Sequence, residues 1–244
     1  MLEEIIINTP MYVTLFWGII LLLTNYRNNR AKFFLGIFML TAFLLYLSHA
    51  IFFHRNDTIY QYFDPVYIFA TLAVYPLYYW YVKLLTVESS IRLYNLRLLI
   101  PAAFLSGVSF FLYQLMDLEE KSGYINGFLL NQGASLPDSL AVQLQKLNFI
   151  SVRIVFGIQV VVFLIYGKKL VFEYSKRINN FYSNLEHKNL HWVNVFLYSF
   201  IFTALMSTIF NIIGRSIFLE SKILLLIPSF IFSVILFLDR KSVV

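Results

Sequence analysis

Cysteine is absent from this chain, which excludes a disulfide framework, a thiolate nucleophile and a cysteine-ligated metal site. Charge is scarce as well. Only 13% of the 244 residues are Asp, Glu, Lys or Arg, against about 25% in a soluble domain. So little charge cannot cover a water-soluble surface, and the chain reads as membrane-embedded. In place of charge there are 59% hydrophobic residues, among them 26 Phe and 17 Tyr, and the mean hydropathy is +0.72. The net charge of +6 would suit a nucleic-acid partner in a soluble protein. In a membrane protein the placement of the cations matters more than their sum.

Seven stretches reach or approach the about 20 apolar residues that cross a bilayer. They are Ile5–Thr24, Phe33–Phe53, Val66–Val82, Leu98–Met116, Leu147–Gly167, Trp192–Ile213 and Ile223–Leu238. All are longer than a membrane strand of about 9–11 residues, and none alternates as a barrel strand does. Backbone polar groups in lipid must be satisfied within the segment, so these are predicted helices. The predicted fold is an all-α, seven-helix membrane domain over residues 1–238. The first segment is not a secretory signal, because "MLEE" is acidic and no small-residue cleavage site follows.

Lys and Arg set the direction. One set of loops holds Arg27, Arg30, Lys32, Lys83, Arg92, Arg97, Lys168, Lys169, Lys176, Arg177 and Lys188, eleven in all. The alternate set holds five: Arg55, Lys121, Lys146, Arg215 and Lys222. The eleven-residue side is expected in the cytoplasm, with the N-terminus outside and the C-terminus inside.

Two loops carry local signals. In the outer loop Asp117–Lys146, "DLEE" and "SLPDSLAVQLQKL" have helical character, with Ser135 or Asp138 as the cap. This loop is either a lid over an outward-facing pocket or a plain connector. On the inner side, Leu170, Tyr174, Ile178, Phe181 and Leu185 recur every three or four residues, so the fifth helix is expected to continue past the bilayer. Ser183 and Glu186 then have capping-box spacing for a new helix. His187 and His191 lie four apart, a spacing compatible with metal. Without a third ligand nearby they read as a solvated pair, and no metal is expected.

Ionisable groups at membrane depth usually face the bundle interior or water. Arg153, His49 and Asn211 fall at a similar depth on the outer side. Together they form a candidate ligand-binding pocket for a small anionic or hydrogen-bonding molecule, with Arg153 as charge partner. The alternative is that Arg153 snorkels to the headgroups while His49 and Asn211 pair locally. Gln159 reads as an interhelical hydrogen-bond partner. Pro76 is expected to kink the third span, and Tyr78, Tyr79, Trp80 and Tyr81 suit an aromatic belt.

Several motifs are missing. The seventh span has no lysine for a retinal Schiff base. No H-E-x-x-H, G-x-S-x-G, Walker loop or intramembrane aspartate pair occurs, and no inverted repeat of the transporter kind is visible. The chain is therefore not expected to be an enzyme, and no cofactor is expected.

The third span "YPLYYWYVKLLT", the following "LRLLIPAAF" and the turn "FYSNLEHKNLHWV" resemble the N-terminal membrane module of bacterial AraC-type transcriptional regulators. The resemblance covers most of the chain from Asn25 to Leu238. It rests on proline, aromatic and turn signatures. It implies a bacterial cytoplasmic (inner) membrane location and a sensor or anchor role ahead of a cytoplasmic domain with two helix-turn-helix units. It further implies a lipid-bilayer partner, an unidentified small ligand and a homodimer of the full-length protein. No helix-turn-helix pattern occurs outside the spans, so the resemblance assigns nucleic-acid binding to no residue here. Asp239–Val244, "DRKSVV", is also what a common sequencing-adapter oligonucleotide encodes before a stop. These residues are expected to be a non-native tail, with the natural frame continuing into the output domain. A genuine basic tail is the alternative. Two other functions stay open: a small-solute transporter or channel, and the sensor module of a membrane histidine kinase.

Overall fold

In the computed structural model, the chain is described over residues 2–23, 29–55, 57–87, 93–130 and 138–181, with isolated positions 206 and 209. All regular structure among the described residues is helical. Helix α1 spans Leu2–Leu22, α2 Arg30–Phe53 and α3 Asp57–Val87. A 3-10 turn, Leu93–Leu99, leads into α4, Ile100–Leu115. A short α5, Leu118–Ser122, runs into a π-helical turn, Gly123–Leu129, and α6 extends over Leu140–Phe181. Apart from positions 206 and 209, the sixth and seventh expected spans lie outside the described residues, as do Ser135, Ser183, Glu186, His187, His191 and Asn211.

Local chemistry explains the helix ends. The Asn29 side chain accepts from the Lys32 N–H at 3.0 Å and so caps α2. At the other end of α2, the Arg55 N–H donates to the Phe52 carbonyl at 3.0 Å, and Arg55 takes a left-handed φ of 54°. Asp117 and Glu120 form a reciprocal capping box on α5, with bonds of 2.7 and 3.0 Å. Helix α6 starts on Ser139, whose Oγ accepts from the Val142 N–H at 3.3 Å. Asp138, one of the two expected caps, instead accepts from the Gln143 side chain at 2.7 Å. Helix α3 begins at Asp57 and not at Val66, and it runs through both Pro65 and Pro76.

Among the described residues, three helical stretches are long and apolar enough to cross a membrane: Arg30–Phe53, Leu96–Leu115 and Leu140–Tyr174. Asn8–Leu22 is a shorter apolar helix. The tyrosines of α3 lower its hydropathy, yet most of its side chains from Asp64 to Val82 are buried. Contacts fix the relative directions. Gly18 faces Leu40 and Gly36 faces Leu22, so α1 and α2 are antiparallel. Phe52 meets Tyr60 while Phe34 meets Trp80, so α2 and α3 are antiparallel. Gln145 reaches Ser109 and Asn148 reaches Leu105, which makes α4 and α6 antiparallel. Tyr75 meets Phe156 and Tyr79 meets Phe163, which makes α3 and α6 parallel.

The C-termini of α2 and α4 therefore share one end of the bundle with the N-termini of α3 and α6. One apolar cluster, with Phe38, Leu72, Trp80, Phe156 and Phe163, fills the middle and the far end. A second, with Phe52, Tyr60, Tyr113, Tyr124, Ile125 and Val142, fills the shared end.

Helix α6 shows how its faces are divided. Its inward stripe holds Gln145, Asn148 and Gln159 among apolar residues, all three buried. Its outward stripe holds Leu147, Ile154, Ile158, Val161 and Ile165, all exposed. Amides turned inward and bare aliphatics turned outward suit a helix solvated by lipid, where interior polar groups hold helices together.

Candidate functional site

The shared end is organised around a carboxylate. Asp64 is 2% exposed. Its Oδ1 accepts from the Tyr60 hydroxyl at 2.9 Å, and its Oδ2 accepts from the Tyr113 hydroxyl at 3.2 Å. Tyr60 lies one turn before Asp64 on α3, while Tyr113 comes from α4. Both oxygens thus receive donors, which is how a buried carboxylate is accommodated.

Three further bonds tie α4 to its neighbours. The Ser106 hydroxyl donates to the Pro65 carbonyl at 2.8 Å. The Gln145 amide donates to Ser109 Oγ at 2.7 Å, and the Asn148 amide donates to the Leu105 carbonyl at 3.2 Å. Proline at position 65 also matters through what it lacks. Without an N–H it cannot bond the carbonyl four residues earlier, so helical bonding is locally weakened beside Asp64. The outcome is a polar junction of α3, α4 and α6, walled by aromatic rings.

Arg153 and His49 lie at opposite ends of one continuous series of contacts through this junction. The Arg153 guanidinium is 4.3 Å from the Phe149 ring centroid. Phe149 packs on Phe128 at 5.3 Å, Phe128 on Tyr124 at 5.4 Å, and Tyr124 on Tyr113 at 6.0 Å. Tyr113 and Tyr60 then meet on Asp64. From Tyr60 the series continues to Phe52 at 5.2 Å, to Phe53 at 5.4 Å and to the His49 ring at 6.1 Å. His49 also packs on Tyr67 at 5.1 Å. The two predicted residues are thus linked through rings, with an acid between them. Lys146 lies 5.9 Å from the Phe128 centroid, so two side-chain cations rest on rings at the Arg153 end.

Asp64 is the residue that sequence reasoning missed. It falls just before the apolar run Val66–Val82 and reads as a loop residue there. A usable signal was present: Tyr60, Asp64 and Ile68 recur every four residues, continuing the helical period upstream of Val66. Gln159, expected as an interhelical hydrogen-bond partner, is buried. Thr71 Oγ1, Trp80 Nε1, Gln145 Oε1 and Gln159 Oε1 are buried with no hydrogen-bond partner among the described residues. No three His, Asp or Glu side chains gather in metal-binding geometry among the described residues.

Comparison with protein-family models, with curated proteins and with solved structures gives no match to this chain.

Proposed function

We infer that the chain is a seven-helix sensor or anchor module of a membrane-bound regulator, with its output domain on the cytoplasmic side. The continuity of α6 is the observation that carries this reading. Its 42 residues extend about 63 Å at 1.5 Å per residue, roughly twice the about 30 Å hydrocarbon thickness. Its first turns contribute Val142, Gln145 and Asn148 to the polar end of the bundle. Its last turns, from Lys168 onward, carry an exposed Lys169–Glu173 pair at 3.9 Å, a surface suited to water. On this reading, one uninterrupted helix joins an outer junction to the inner face. A ligand that favours one packing of the junction would bias the position of this rod, and only such differential binding can shift the equilibrium.

The positive-inside distribution supports a reading with the Asp64 end outside the cell and the Lys168–Lys176 end inside. The resemblance to AraC-type membrane modules supplies the output class, a pair of helix-turn-helix units. The decisive observation is the gene itself. A reading frame that continues past this sequence into paired helix-turn-helix units supports the regulator reading. A frame that continues into a kinase domain, or a native stop after Val244, defeats it.

A further inference from the structure

We propose that the junction of α3, α4 and α6 is a binding site for a small organic ammonium ion. The Gln145 carbonyl carries the inference. Gln145 is 1% exposed, its amide nitrogen is held by Ser109 at 2.7 Å, and its Oε1 has no hydrogen-bond partner among the described residues. A buried amide oxygen without a donor costs on the order of 1–3 kcal/mol in a protein interior, and the cost is no smaller where lipid replaces water outside. This oxygen is an open acceptor and calls for an N–H or O–H.

Its surroundings specify which donor. Ser109 is one turn from Tyr113 on α4, and Val142, one turn from Gln145 on α6, packs in the same cluster as Tyr113 and Tyr124. Tyr113 in turn holds Asp64 at 3.2 Å. An open carbonyl on α6 and a carboxylate on α3, both tied to α4 through Ser109 and Tyr113 at an end rich in aromatic rings, form a combination that attracts cations. The chain itself shows that preference, since Lys146 and Arg153 already rest on Phe128 and Phe149 of the same ring series. An ammonium group offers three donors and one positive charge, and its hydrocarbon body suits the rings. The π-helical turn Gly123–Leu129, a rare geometry that recurs at functional sites, packs its Tyr124 on Tyr113 at 6.0 Å.

The test uses the purified full chain in detergent micelles, with 2-phenylethylammonium as probe and thermal unfolding as readout. The neutral 2-phenylethanol and the anionic 3-phenylpropionate serve as matched controls. The expected result is a saturable rise in Tm with the ammonium compound alone. Gln145→Leu is expected to weaken its binding about tenfold, the equivalent of one hydrogen bond, and Asp64→Asn to abolish it. Should Asp64→Asn fail to fold, Gln145→Leu decides. The proposal is overturned by the absence of a saturable shift, by an equal shift with the carboxylate, or by unchanged affinity in folded Gln145→Leu. Binding is read on this chain alone, so the result does not depend on which output domain the gene encodes.

Discussion

At the scale of single residues, the junction predicts which side chains hold the outer end together. Tyr113→Phe keeps the ring that packs on Tyr124 at 6.0 Å and removes only the hydroxyl that reaches Asp64. A hydrogen bond to a charged acceptor contributes about 1.5–3 kcal/mol, so this variant should lose stability by about that amount in thermal or denaturant unfolding. A loss below about 0.5 kcal/mol, the usual scatter of surface substitutions, would show that the carboxylate does not depend on Tyr113. Arg55 gives the opposite sign. It is an exposed L-residue with φ of 54°, just past the end of α2. Left-handed backbone costs such a residue about 1–2 kcal/mol, and glycine adopts it freely. Arg55→Gly should therefore raise stability by up to about 1 kcal/mol. Equal or lower stability on unfolding would show that the arginine side chain contributes something the backbone argument omits.

At the scale of helices, α1 and α2 approach closely at two glycines. A Cβ on Gly36 would lie 2.9 Å from Leu22 Cγ and 3.1 Å from the Leu22 backbone nitrogen. A Cβ on Gly18 would lie 2.8 Å from Leu40 Cδ2, the mobile tip of a side chain. Overpacking costs about 1–3 kcal/mol where neighbours cannot move. Gly36→Ala should therefore destabilise the bundle by that amount and Gly18→Ala by less. Gly107 and Gly157 have nothing within 4 Å of the added atom, so alanine there should be neutral or stabilising by up to about 1 kcal/mol. Unfolding midpoints for the four variants test the order, and a Gly36→Ala protein as stable as Gly107→Ala would refute the close crossing. Much at this scale was legible in the sequence. The existence of α1, α2, α4 and α6 follows from long apolar runs, and the extension of α6 to Phe181 follows from the spacing of Leu170, Tyr174 and Ile178. The start of α3 was not legible in the same way. Asp64 and Pro65 look like loop chemistry until Tyr113, 49 residues away, is seen to supply a donor. The π-helical turn at Gly123–Leu129 has no sequence signature, because its geometry depends on packing Tyr124 and Ile125 beneath it. The ring series from Arg153 to His49 was also hidden, since depth along a span says nothing about which rings lie between two residues.

At the scale of the whole molecule, the question is which end of the bundle faces the cell. Alternating helix directions put the Asp64 junction at one end and the Lys168–Lys176 stretch of α6 toward the other, whatever the absolute orientation. The outward apolar faces of α4 and α6, with Phe104, Phe111, Ile154 and Ile165 all more than half exposed, make sense only if lipid or another apolar surface covers them. The orientation proposed above rests on the excess of Lys and Arg at the α6 C-terminal end, since cations are retained on the cytoplasmic side during insertion. The absence of cysteine makes this directly measurable, because any introduced thiol is unique. Glu119 on α5 and Lys176 on α6 are both exposed, and they lie toward opposite ends. In intact cells, Glu119→Cys should react with a membrane-impermeant maleimide, and Lys176→Cys should react only after the membrane is permeabilised. The reverse pattern would turn the molecule over and place the Asp64 junction in the cytoplasm, where it would meet intracellular amines. Labelling of both thiols without permeabilisation would mean that α6 does not cross the bilayer, and the long rod would then have no membrane to carry a signal through.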